Sequence, residues 1–168
     1  MTDPDRTDPD RTDPDRAVYA FRSLLLLTQR LRYLFDRRLD ADGLSTSQAM
    51  LLTIAQQHAE VAPTYTQLAD AMATSHQNVA KLADGLQRRG FVEVGVDRDD
   101  RRARRVHVTD VARTYWAGRD DADFAYVRSL FATLDAEELR TFVALLDRIQ
   151  DGVRDHYGRT RHEGGSGP

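Results

Sequence analysis

Residues 61–109 read VAPTYTQLADAMATSHQNVAKLADGLQRRGFVEVGVDRDDRRARRVHVT, and this stretch decides the fold. Thr64 stands where a helix N-cap is wanted and Gln67 follows three residues later, the spacing of a capping box. Leu68, Ala69 and Met72 then fall on one helical face. Ala73 and Thr74 mark a turn, and Ser75 offers an N-cap oxygen for a second helix. In that helix Val79, Leu82, Ala83 and Leu86 line one side, with Gln77, Lys81, Asp84 and Arg88 on the other. Gly90 closes it in the manner of a C′ glycine.

Phe91–Val96 then changes period. Val92, Val94 and Val96 alternate with Glu93 and Gly95, and Val106 and Val108 repeat the pattern against Arg105 and His107. Between the two strands lies a tip, Asp97–Arg104, rich in arginine. Helix, turn, helix and a hairpin with a cationic tip make a winged helix-turn-helix. The N-terminal end of such a second helix meets base edges in a major groove, where Gln and Asn pair with adenine and Lys reaches guanine or phosphate. The candidate DNA contacts are therefore Thr64, Ser75, His76, Gln77, Asn78, Lys81 and Arg88 from the helices, and Arg98, Arg101, Arg102 and Arg104 from the tip. Arginines at a hairpin tip suit the negative potential of a narrow minor groove. Within the tip, Asp100 is expected to pair with an arginine and hold its shape while Arg102 reaches out. The competing reading of each charge is a solvated face or a salt-bridged turn.

The segment resembles the DNA-binding core of the MarR family of bacterial regulators. The likeness rests on Leu68-Ala69, on Leu86 with Arg88-Arg89-Gly90-Phe91-Val92-Glu93, and on the wing, Asp100-Arg101-Arg102-Ala103 leading to Val106-His107-Val108-Thr109. The chain departs from the pattern at Ala73 and Ala112, where glycine is usual, and at Val94, where arginine is common. The resemblance implies a homodimer whose first and last helices interlock, and a ligand-responsive repressor acting on a pseudo-palindromic operator. It also implies a small aromatic or other effector bound between the dimer and DNA-binding regions, for which Tyr19, Tyr115 and Trp116 are the candidate pocket walls.

Flanking sequence fits that plan. Residues 17–39 carry Phe21, Leu24, Thr28, Leu31 and Phe35 as a stripe, and the run Leu24–Leu27 widens the apolar surface beyond one face, as a dimerising helix requires. Residues 45–57 form a supporting helix, packed through Ala49, Leu52, Ile54 and Ala55. Residues 59–63 connect it onward, with room for a short third strand against the wing. After Thr109, helix resumes over 110–132, with a bend at Gly118–Asp121. Asp135 and Glu138 form another capping box, opening a helix to about Val153 along Leu139, Phe142, Val143, Leu146 and Ile149. The expected architecture is mainly α with a small β wing. It has a winged helix-turn-helix at about 44–109 inside a domain of residues 17–157, and dimerisation helices at about 17–39 and 110–157. TDPDR written three times over residues 2–16 lacks apolar residues and is expected to be disordered, as residues 1–16, and residues 158–168 to be a flexible tail.

Composition narrows the function. The 168 residues are enough for one core-bearing domain, and the absence of cysteine excludes disulfides and thiol-based sensing. The net charge of −3 conceals a local surplus: residues 74–109 hold eight Lys/Arg against five Asp/Glu, a basic face on an acidic body. No phosphate-binding loop, nucleophile elbow or metalloprotease motif occurs, and the five histidines show no metal-ligand spacing. No enzyme activity, metal or cofactor is expected. With no transmembrane-length or signal-peptide segment, a cytoplasmic location and no membrane partner are expected. The partners expected are double-stranded DNA, a second copy of the chain and a small effector. The reading from another class is a winged-helix protein-interaction module that has given up DNA.

Overall fold

The computed structural model describes residues 13–58, 61–97 and 99–164. In chain order they form α1 (Asp13–Leu39), a 3-10 turn (Asp40–Asp42), α2 (Thr46–Gln57), α3 (Tyr65–Ala71), α4 (His76–Arg88), β1 (Val92–Val96), β2 (Arg104–Val108), α5 (Asp110–Ala117), α6 (Asp120–Leu130) and α7 (Ala136–Gly164). The mainly helical architecture with a small antiparallel wing is the one expected. The chain divides into two compact units, one up to Thr114 and one from Tyr115 onward.

The first unit holds the core. Leu51 and Leu52 of α2, Leu68 of α3, Val79 and Leu86 of α4, Val92 of β1 and Val106 of β2 are fully enclosed. Each such side chain stabilises the fold by about 2 kcal/mol relative to exposure. On α4 the enclosed set is Val79, Ala83 and Leu86, while Leu82 is half-buried. Leu51, absent from the expected packing set of α2, lies in the core, whereas Ala49 and Ile54 are half-buried.

The helix ends follow local chemistry. Both Ser45–Gln48 and Thr64–Gln67 form reciprocal capping boxes. Ser75 Oγ accepts from the Asn78 N–H at 3.1 Å. At the end of α4 the Gly90 N–H reaches the Gln87 carbonyl (2.9 Å) and the Phe91 N–H reaches Leu86 (3.0 Å), a Schellman closure with Gly90 at φ +72°. The same pair of bonds closes α3, Ala73 to Asp70 and Thr74 to Ala69, with Ala73 at φ +47°.

The wing pairs β1 with β2 in the register Val92↔Val108 through Val96↔Arg104. In place of a third strand there is one bridge, Thr64↔Arg105, with the Val106 N–H donating to Pro63. Ala59 and Glu60 of the connector lie outside the described residues.

Two boundaries differ from expectation. Residues 13–16, assigned to the disordered arm, are the first turn of α1, and residues 158–164, assigned to the tail, continue α7. In each case a helix already nucleated by its neighbours extends into polar sequence at little cost, because propagation is far easier than initiation. Residues 1–12 and 165–168 lie outside the described residues. In the second unit, α5 and α6 break at Gly118–Arg119, where a bend was expected, and Asp135 and Glu138 cap α7 reciprocally at 2.9 Å each way.

Candidate nucleic-acid interface

α4 presents His76, Gln77, Asn78, Lys81, Asp84 and Arg88 to solvent, opposite its buried stripe. Asn78 Nδ2 donates to Thr74 Oγ1 at 3.0 Å, which steadies its amide over the turn. Arg88 pairs with Asp84 one turn back, both more than half exposed, so the pair adds little stability. Lys81 is exposed and makes no ion pair among the described residues.

Tyr65, which sequence reasoning did not single out, organises the approach to this helix. Its ring lies edge-on to His76, centroids 5.3 Å apart, and it is nearly buried at the first position of α3. Burial pushes its phenol up, and the charges of Arg104 and Asp84 both reach it. The start of α4 and the start of β2 therefore meet the start of α3, through the Tyr65–His76 rings and the Thr64↔Arg105 bridge. Thr64 and Ser75, offered as DNA contacts, cap the starts of α3 and α4, their hydroxyl oxygens accepting from the Gln67 and Asn78 N–H groups respectively.

The wing tip departs from the expected division of labour. The carboxylate that pairs with an arginine is Asp97, bonded to Arg105, and not Asp100. Asp97 is 6% exposed and also accepts from the backbone N–H groups of Asp99 (2.8 Å) and Asp100 (2.7 Å). Those bonds, led by the one from Asp100, hold its carboxyl below the usual aspartate range. The reason is position: Asp97 directly follows β1, where three donors meet it, whereas Asp100 sits on the exposed turn and among the described residues accepts locally, from the Arg102 N–H at 2.9 Å. Arg105 also donates to the Ala62 carbonyl, tying the wing to the α2–α3 connector. Arg101, Arg102 and Arg104 are exposed, and Arg101 and Arg102 form no ion pair among the described residues. Arg98 lies outside the described residues.

The pocket candidates divide between the units. Tyr19 is exposed on α1 in the first. Tyr115 and Trp116 are half-buried on α5 in the second, ring centroids 5.2 Å apart, with Arg119 over Tyr115 at 5.5 Å. The Trp116 ring N–H is buried with no hydrogen-bond partner among the described residues. A cleft of about 450 Å³ that the sequence did not disclose opens behind the start of α4, lined by Leu31, Phe35, Met50, Met72, Thr74 and Asn78 among others.

Fold and site together define a winged helix-turn-helix protein. Residues 42–103, the winged-helix part of the chain, match the model described as MarR family. A MarR protein from Peptoclostridium difficile is 15% identical, with 92% of this chain and 97% of that one covered at a TM-score of 0.77. The S. aureus MepR–DNA complex is 19% identical, covering 80% and 96% at 0.70. A MarR transcriptional regulator from Methanosarcina mazei is 16% identical, covering 81% and 97% at 0.71. At these identities the likeness is one of fold. No curated protein sequence matches the chain.

Proposed function

We propose that this protein is a DNA-binding transcriptional regulator that acts as a homodimer on a pseudo-palindromic duplex site. The observation that carries the reading is the convergence at the start of α3. There the His76 ring of α4 meets Tyr65 and Arg105 of the wing bridges Thr64, with Lys81, Arg101 and Arg102 exposed and uncommitted among the described residues. Base edges would meet His76, Gln77, Asn78 and Lys81, and Arg102 would enter the minor groove beside them. The MepR complex, solved with DNA, supports the same use of the fold here.

Homodimerisation is supported by what a single chain leaves uncovered. On α1, Phe21 (61%), Leu25 (53%) and Leu26 (59%) are exposed, and on α7 so are Val143, Ile149 and Val153. Helices of 27 and 29 residues with apolar faces of this extent need a partner to shield them. A two-fold dimer sets its reading helices about 34 Å apart, one turn of duplex. Repression relieved by a small effector is the regulatory reading, with the cleft behind α4 and the Tyr19, Tyr115 and Trp116 rings as the places to look for it. A ligand there shifts the equilibrium only by binding the two arrangements of the heads unequally.

Recovery of source-genome fragments bound by the purified protein tests the proposal. It predicts enrichment of one inverted-repeat motif with half-sites about one helical turn apart. Recovery with no common sequence would contradict it.

A further inference from the structure

Arg89 follows the reading helix and, by type and position, invites assignment to a phosphate. Its guanidinium is engaged elsewhere. It donates to the carbonyl oxygens of Gly43, at 3.0 Å, and Asp42, the end of the 3-10 turn that closes α1, and it lies over the Phe91 ring at 5.6 Å. Gly43 provides the seat: it stands at φ +60°, and a Cβ placed on it would come within 2.7 Å of Arg89 Nη1. A second close approach lies one turn earlier on α4. A Cβ on Gly85 would meet Gln48 Nε2 at 2.7 Å, and Gln48 is held by the capping box that starts α2. The Thr46 N–H of the same helix start donates to Asp36 Oδ1 of α1 at 2.7 Å. The end of α1, the start of α2 and the end of α4 thus meet at one junction.

We infer that Arg89 is a positioning residue: a strut that fixes the tilt of α4 to the end of α1, so that movement of α1 is transmitted to the reading head. The inference rests on the DNA-binding reading for its consequence, and on the geometry alone for its existence. Two carbonyls bridged by one planar fork favour arginine, because its donors are held at a fixed spacing, whereas a lysine ammonium carries its three donors on one atom.

The test uses the full chain with Arg89→Met, Arg89→Lys, Gly43→Asn and the Met/Asn double variant. Asparagine tolerates the left-handed backbone while its Cβ displaces the guanidinium. On a duplex selected by the wild type from a random pool, Arg89→Met is expected to bind about tenfold more weakly. The slope of log affinity against log salt should be unchanged, Lys should not rescue, and Gly43→Asn should reproduce the loss with the charge intact. A slope reduced by about 0.9, with binding restored by Lys, would make Arg89 a phosphate contact and overturn the strut. Thermal unfolding without DNA decides the geometry independently. If the double variant melts no lower than the worse single one, the strut stands even should the wild type bind no duplex, a result that would sink only the DNA-binding reading. Additive losses of melting temperature overturn the strut.

Discussion

Ala73 is the one non-glycine residue with positive φ among those described, and it closes α3 through the bonds that Gly90 supplies for α4. A Cβ in the left-handed region costs about 1–2 kcal/mol, so Ala73→Gly is expected to raise unfolding stability by roughly 1 kcal/mol, and Gly90→Ala to lower it by a similar amount, in denaturant titrations. A loss of stability in Ala73→Gly would show that unfolded-chain entropy outweighs the strain. Asp97 has the opposite character, a residue matched to its place. Its carboxyl is held low by the donors around it, so the stability it contributes is present above the ordinary aspartate pKa near 4 and is lost as pH falls through the depressed value. Asp97→Asn should therefore melt below wild type at neutral pH, with the gap closing as the pH drops below about 4. A gap that stays constant down to acid pH would assign the effect to shape rather than charge.

At the scale of the element, the arginines of the wing separate into two kinds. Arg105 is spent on Asp97 and Ala62, so Arg105→Ala should lower the melting temperature. Arg102 is exposed, so Arg102→Ala should leave melting unchanged and weaken duplex binding. Equal melting losses in both variants would contradict the division. Lys81→Ala should lose affinity mainly for the selected duplex, and a uniform loss across sequences would assign Lys81 to phosphate instead. The sequence disclosed what is local. The boxes at Thr64–Gln67 and Asp135–Glu138 were legible because a cap needs only a residue three positions away, and the valine alternation fixed the hairpin for the same reason. It hid what is tertiary: Arg105 meets Ala62 across 43 residues and Arg89 meets Gly43 across 46, and no spacing rule reports such pairs. Leu51 was missed because the run Met50-Leu51-Leu52 leaves the phase of an apolar helix ambiguous, and only the packing of α2 against α4 settles it.

For the molecule as a whole, the enclosed hydrophobic side chains lie between Leu39 and Ala112 among the described residues, while α1 and α7 carry apolar faces open to water in the single chain. Leu26→Glu, at a position 59% exposed, should reduce the mass measured by light scattering from that of a dimer to that of a monomer while the winged helix stays folded. An unchanged dimer mass would move the interface off this face. Charge is arranged to match: a net −3 overall with a local surplus of three positive charges in residues 74–109, which favours approach of a polyanion at one edge. That arrangement makes the salt dependence of duplex binding the most direct measurement of the central claim. Titration of a wild-type-selected duplex from about 50 to 200 mM salt is predicted to give a linear fall of log affinity with log salt, each neutralised phosphate adding about 0.9 to the slope, and a shallower slope in Arg102→Ala. Affinity that is flat across that range, or a slope that Arg102→Ala leaves unaltered, would contradict a reading helix and wing seated on the DNA backbone.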